Sequence, residues 1–501
     1  MLKSAELGLK VGKEEYGRQL PKLRLALLQA HWEIHQAKVP VVVVISGPEI
    51  SGKGELINRL AAWLDPRGLE VNAYGPPSDE ERERPPWWRF WRALPPRGKV
   101  GIFLGSWYTD PILRRVDGKL GQSAFQRDLD RIAFFERMLA EDGALIVKFW
   151  LHLSKKEQKK HLKRHEKDPR TRWRVTPVDW KAFELYDRFA KWSETALLRT
   201  DAPHAPWVVV DAADENHRDL AAARYLLEAL RRGATAVKEG AAERPAAPRR
   251  PATVPSAGRI VPGAEGNVLD TVDLARKVTD EVYRERMSKL QGRVGTLTRK
   301  AFGKKVSSVL VFEGWDAGGK GGSIRRLTEA IDPRLYRVVP IAAPTEEERA
   351  HHYLWRFWRH LPRDGRVTIF DRSWYGRVLV ERVEGFAKPE EWERAYLEIN
   401  DFEEQFADHG SVVLKFWLHL SPEEQLRRFR DRQRVGFKKH KITEEDWRNR
   451  KQWPAYAAAV SDMVARTDTP AARWTLVAGN DKRVARLQIL EAYVERLAQA
   501  L

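Results

Sequence analysis

The chain contains no cysteine, which excludes disulfides and thiolate metal sites and permits a reducing compartment. No apolar run approaches the length of a membrane span, about 20 residues. Met1 to Tyr16 carries charges throughout, without the apolar core of a secretory signal. These absences lead to the expectation of a soluble, cytoplasmic protein with no membrane partner. Acidic residues are also in deficit. Against 89 Lys and Arg stand 70 Asp and Glu, giving a formal net charge of +19 and a sequence pI near 9.8. Such a balance calls for an anionic partner, whether nucleic acid, an acidic membrane surface or a polyanionic substrate, and charge alone does not choose among them. What is present is a chain of 501 residues, 43% hydrophobic. That suffices for more than one core and roughly two to four domains of ordinary size.

The chain repeats itself when it is laid on itself with an offset of 267 residues. Leu64-Asp65-Pro66-Arg67 meets Ile331-Asp332-Pro333-Arg334, and Trp88-Arg89-Phe90-Trp91-Arg92 meets Trp355-Arg356-Phe357-Trp358-Arg359. Ser106-Trp107-Tyr108 meets Ser373-Trp374-Tyr375, and Lys148 to Ser154 meets Lys415 to Ser421. A unit of about 230 residues is far longer than a solenoid repeat, so each copy is expected to be a domain. The expected division is 1–233, a linker at 234–266 rich in Ala, Pro, Arg and Gly, and 267–501. Within one copy, Val41 to Ile45, Val100 to Phe103, Leu145 to Phe149 and Trp207 to Val210 are short apolar runs separated by helical periods. That alternation predicts a three-layer α/β fold with a buried parallel sheet and phosphate bound at the C-terminal ends of its strands.

The second copy carries the chemistry. The apolar run Val306 to Phe312 leads into Gly314-Trp315-Asp316-Ala317-Gly318-Gly319-Lys320, and a helical period follows. This is the phosphate-loop pattern in its proper strand-to-helix setting. Gly314, Gly318, Gly319, Gly321 and Gly322 let backbone N–H groups converge on phosphate oxygens, the helix N-terminus adds partial positive charge, and the Lys320 ammonium reaches the phosphate. Gly321 stands where a magnesium-binding Ser or Thr usually follows the lysine, which leaves Ser323 or Asp316 for that role. A second apolar strand, Val367 to Phe370, ends in Asp371-Arg372, the position at which a carboxylate holds magnesium. Arg372 and Arg377 are candidates to neutralise the transferring phosphoryl oxygens. Between the motifs, Trp355 to Pro362 alternates cations with large rings; the rings read as core, and Arg356 and Arg359 as reaching for a phosphate chain. After Ser421 a basic amphipathic stretch holds Arg427, Arg428, Arg430, Arg432, Arg434, Lys438, Lys439 and Lys441. It reads equally as a helical lid closing cations over phosphates or as a solvated helix face.

Together the loop, the Trp355 to Pro362 stretch, Asp371-Arg372-Ser373-Trp374-Tyr375 and the basic stretch resemble the type 2 polyphosphate kinase family. The resemblance implies two tandem P-loop kinase-like domains, and the tandem form is similar to members that move the terminal phosphoryl group of inorganic polyphosphate to AMP, giving ADP, with Mg2+. It also implies that Asp316 and Asp371 lie near metal and acceptor, that Lys320 holds phosphate and that Arg372 supports the transferring group. The first copy departs from the pattern. It keeps Gly47, Gly52 and Lys53, but Glu49 replaces Asp316, Glu55 stands opposite Gly322, and Leu104-Gly105 replaces Asp371-Arg372. Loss of the metal carboxylate and its arginine removes several kcal/mol of transition-state stabilisation. The first copy is therefore expected to be degenerate, a pseudo-symmetric partner for the second, with a residual phosphate site at Lys53 left open. Homo-oligomers are left open too. The rival readings are an ADP-phosphorylating polyphosphate kinase, an ATP-dependent nucleotide or metabolite kinase, and a nucleic-acid-binding protein stacking bases on some of the 20 Trp residues.

Overall fold

The computed structural model describes residues 2–239, 267–434 and 444–501. They form two compact units. The first is built from 2–77, 89–239 and Glu346–His352, the second from Ser78–Trp88, 267–345, 353–434 and 444–501. Two short segments thus group with the other copy, which a division at 233 and 267 does not contain.

Each unit holds one five-stranded, wholly parallel sheet. In the first, β1 (Val41–Ser46), β2 (Leu69–Ala73), β3 (Val100–Leu104), β4 (Leu145–His152) and β5 (Trp207–Asp211) lie in the order β2-β3-β1-β4-β5. In the second, β6 (Ser308–Gly314), β7 (Tyr336–Pro340), β8 (Val367–Asp371), β9 (Val412–His419) and β10 (Trp474–Ala478) lie in the order β7-β8-β6-β9-β10, the same topology. The apolar runs become central strands because both faces are covered: Val41 to Ile45 are all buried. β2 and β7 were not anticipated. They are edge strands whose residues are mostly half-buried or exposed, so no apolar run marks them. In each unit the first strand pairs with one neighbour on each side, β1 with β3 and β4, β6 with β8 and β9. The chain therefore leaves that strand in opposite directions and opens a crevice at its C-terminal end.

The helices beside the sheet are amphipathic. Lys13–Gln36 and Glu215–Lys238 cover the first sheet, and Asp280–Gly303 and Lys482–Gln499 the second. The helix ending at Lys238 runs through 234–238, residues assigned from composition to the linker. Alanine there supports helix instead.

The repeated motifs Ser-Trp-Tyr and Lys-Phe-Trp prove to be core. Lys148 and Lys415, each fully buried on the strand beside the central one, reach Glu136 at 2.7 Å and Glu403 at 2.8 Å. Each ammonium also donates to a tyrosine hydroxyl, Tyr108 or Tyr375, and to a helix-end carbonyl, Thr200 or Thr467. Trp107 and Trp374 donate to the same carboxylates. Burial pushes both ammonium pKa values down against the attraction of the carboxylates. Trp91, Trp107, Trp150, Trp358, Trp374 and Trp417 are all buried, which removes them from any base-stacking surface. Among the described residues no helix is long and apolar enough to cross a membrane.

Candidate active site

The crevice of the second unit opens where β6 turns into the helix Lys320–Thr328. Gly314 has φ 148°, and a Cβ there would lie 2.6 Å from the Leu418 carbonyl oxygen, so β9 presses the loop closed at a point only glycine fills. Ala317 and Gly319 also take positive φ, 62° and 101°, and the turn delivers Lys320 to the first helical position. Its ammonium donates to the carbonyl of Gly314 at 2.6 Å and lies 3.4 Å from that of Trp315. Burial lowers the Lys320 pKa, and the charge of Asp316 opposes the shift.

Gly314, Asp316, Lys320 and Arg372 line one cleft of about 90 Å3. Asp316 accepts from Arg372 at 3.3 Å and from Asn449 at 2.9 Å. Arg372 sits at φ 65°, a left-handed conformation that costs a non-glycine residue on the order of 1 kcal/mol. Its N–H donates to Phe312. Asp371 ends β8 opposite Phe312. Among the described residues no hydrogen-bond or ion-pair partner reaches its carboxylate, and its charge is felt at Lys320.

Other expected residues lie elsewhere. Ser323 is buried under the loop helix, so of the two candidates left open for magnesium Asp316 is the one at the cleft. Arg377 is ion-paired to Glu381 at 3.2 Å and lies over the Tyr353 ring, so its guanidinium already has partners in this structure. Arg356 lies over Phe357 and Arg359 over Trp355, and neither lines the cleft. Gly318 is buried in the loop, and Gly321 and Gly322 form the first helical turn. In the basic stretch, helix Pro422–Arg434, Arg430 is exposed and Arg427 pairs with Glu424 and Asp431. Arg428 is a correction: it is buried and braces the loop from behind. Its guanidinium donates to the carbonyls of Ala317, Gly318, Gly479 and Asn480 and pairs with Glu424. Lys438, Lys439 and Lys441 lie outside the described residues.

Several participants were not anticipated. Glu313, the last residue before Gly314, is a buried carboxyl that accepts from Ser373 at 2.8 Å, and burial raises its pKa. A charge closing an apolar strand was its one signal. Gln425 donates to the Asp316 carbonyl and accepts from Arg450. Trp315 stacks on Trp453 with centroids 3.7 Å apart and donates to His419, whose pKa burial lowers to about 4. These contacts join residues from 25 to more than 100 positions apart, so no local pattern announces them.

Against known proteins, the pattern of the Polyphosphate kinase 2 (PPK2) family matches residues 10–238 and 277–501, both copies. The chain belongs to the polyphosphate kinase 2 family. It is 49% identical to the polyphosphate:AMP phosphotransferase of Pseudomonas aeruginosa, covering 100% of this chain and 99% of that protein. It is 37% identical to the enzyme of the same name from Acinetobacter johnsonii, over 95% and 96% of the two chains. A crystal structure of a polyphosphate kinase 2 from Pseudomonas aeruginosa superposes with a TM-score of 0.88 at 47% identity, over 100% of this chain and 99% of that one.

Within this family member the first unit repeats the loop with other residues around it. Gly47 and Gly52 take φ 141° and 81°, and Lys53 donates to the Gly47 carbonyl at 2.7 Å, as Lys320 does to Gly314. Ser46, Glu49, Leu104 and Gly105 stand where Glu313, Asp316, Asp371 and Arg372 stand in the second unit.

Proposed function

We propose that this chain transfers the terminal phosphoryl group of inorganic polyphosphate to AMP, giving ADP, and that the second unit performs the chemistry. The observation that carries the reading is the convergence of Lys320, Asp316 and Arg372 on one cleft at the switch point of the second sheet, with Asp371 at the neighbouring strand end. The name borne by full-length relatives supports the choice of substrates. The net charge of +19 suits a polyanionic donor.

The reaction moves one phosphoryl group. An oxygen of the AMP phosphate forms a bond to the terminal phosphorus of the chain, the bond to the bridging oxygen breaks, and a polymer one phosphate shorter leaves with the electron pair. Lys320 and the loop N–H groups bind and orient the donor phosphates, and Arg372 faces the charge that grows on the equatorial oxygens. Mg2+ fits the residues present: Asp371 and Asp316 offer hard oxygen donors, few enough that substrate phosphates and water complete the shell. When bound, the ion neutralises charge on the phosphates. Asp371 has its carboxylate open to that role, and Asp316 keeps it oriented by Arg372 and Asn449.

Incubation of the purified protein with polyphosphate, AMP and Mg2+ should yield ADP. Formation of ADP from ATP and AMP, with polyphosphate inert, would overturn the reading in favour of an ATP-dependent kinase. ATP formed from ADP and polyphosphate at a greater rate than ADP from AMP would reassign the acceptor.

A further inference from the structure

The first unit carries a cleft that the transfer reaction does not use. It lies at the C-terminal end of β1, against the loop that ends in Lys53, and encloses about 480 Å3, whereas the corresponding cleft of the second unit encloses about 90 Å3. A degenerate site that had merely lost its chemistry would be expected to fill with side chains, because voids forfeit packing. Here the space remains. A volume of this size is that of a small-ligand pocket, for which roughly 300 to 1,000 Å3 is usual.

Two buried polar atoms point to a ligand. The side-chain oxygen of Gln158 and the indole N–H of Trp150 belong to residues only 8% and 2% exposed, both line this cleft, and neither atom has a hydrogen-bond partner among the described residues. The contrast at the glutamine is direct: Gln425, its counterpart, is satisfied at both ends, by the Asp316 carbonyl and by Arg450. A buried polar atom left unpaired costs about 1–3 kcal/mol, a cost that a bound polar molecule removes.

The rest of the lining selects the class of ligand. Trp150 and Phe189 stack with centroids 5.9 Å apart at 28°; the tryptophan is buried beneath, and the half-buried Phe189 offers flat apolar surface for a ring. Lys53 stands at the phosphate-loop end, held at 3.1 Å from Glu49, whose own side chain is 79% exposed, so the pair yields to a stronger anion at little cost. Yet the charged lining as a whole is Lys53 and Lys181 against Glu49, Asp117 and Asp179. One phosphate head on the loop is accommodated; a long polyanion is repelled. With Leu104 and Gly105 in place of Asp371 and Arg372, the strand-end carboxylate and the arginine beside it are both missing. We propose that the first unit binds a nucleoside monophosphate in this cleft, ring toward Phe189 and phosphate on the loop, and does not phosphorylate it. The inference rests on the first unit's own geometry and stands apart from the choice of phosphoryl donor.

Equilibrium dialysis of AMP against the full chain, without polyphosphate, tests it. Two AMP per chain are expected for the wild type and one for Lys53→Ala. Ala182→Trp, placed at an exposed position of the cleft lining, should also leave one and guards against misfolding of the lysine variant. Lys320→Ala should retain the first-unit site. One AMP per chain that survives Lys53→Ala and Ala182→Trp and is lost in Lys320→Ala would overturn the proposal, as would no binding at all or two sites indifferent to both first-unit substitutions. One AMP lost in Lys53→Ala and kept in Lys320→Ala would uphold it while weakening AMP as the acceptor in the second unit.

Discussion

The two units share a sheet order, a glycine loop and a buried lysine–glutamate–tyrosine cluster, and they part company around the cleft. Gly105 and Arg372 occupy the same left-handed turn, at φ 73° and 65°. Glycine adopts it freely, and arginine pays in backbone strain. Ser46 likewise replaces the buried carboxyl of Glu313, and Leu104 the carboxylate of Asp371. The second unit therefore carries strain and uncompensated charge that the first has shed. The positions that hold a sheet together are not those that line the cleft, so either set can change without the other. Even the bracing of the loop differs: Arg428 grips it in the second unit, whereas in the first Arg218, from the helix Glu215–Lys238, approaches the Ser51 carbonyl at 3.5 Å.

The shared cluster sets the largest expected effect. Lys415→Met and Lys148→Met each leave a buried carboxylate without its cation and should destabilise their own unit by about 3–5 kcal/mol, measured by denaturant unfolding. A large cost in one unit and none in the other would break the equivalence of the two cores. His419 separates them by pH. Its folded pKa near 4 lies below the ordinary histidine value of 6.5, so between these values the unfolded chain takes up a proton that the folded chain does not. The stability is fully present above pH 6.5 and is lost as pH falls toward 4, by about 3 kcal/mol. The first-unit counterpart His152 faces Glu6 at 3.1 Å instead of a tryptophan. Thermal unfolding followed from pH 7 to 4 should show the second unit weakening, and His419→Gln should flatten its profile.

Turnover sharpens the contrast next. Lys320→Ala or Asp371→Ala should lower kcat at least about a hundredfold, the loss of one major electrostatic element, while Lys53→Ala should cost less than about tenfold. The reverse order would move the chemistry to the first unit. Arg428→Ala should cost about 2 kcal/mol of stability, since hydrogen bonds from a charged donor to buried carbonyls are lost, and should lower kcat more than it raises the KM for AMP. His161→Ala, at the matching position, should cost less than about 1 kcal/mol. The smallest effect is that of salt: a polymer held by many exposed ion pairs is screened more than a mononucleotide. The KM for polyphosphate should rise more steeply with ionic strength than the KM for AMP, and equal slopes would mean that Arg427 and Arg430 do not hold the polymer.

The duplication, the alternation of strand and helix, the phosphate loop and the Asp371 strand end were all legible in residue order. Each depends on neighbours a few positions apart: apolar period, glycine placement, a lysine opening a helix. The edge strands β2 and β7 escape because half-exposed strands carry no apolar run, and the helix through 234–238 escapes because its alanines adjoin a stretch rich in Ala, Pro, Arg and Gly. Cations were the hardest to sort. Arg356, Arg359, Arg377 and Arg428 all looked like phosphate ligands, yet two lie over rings beside them, one is ion-paired, and one braces loop carbonyls from behind. Composition supplies an arginine, but whether its guanidinium settles on a neighbouring ring or carboxylate, as in Arg359 and Arg377, or reaches a carbonyl more than 100 residues away, as in Arg428, is decided by the packing around it. The same holds for the two clefts. Local pattern makes both loops, and the size and polarity of the space above each follow from helices and strands brought together by burial of the core.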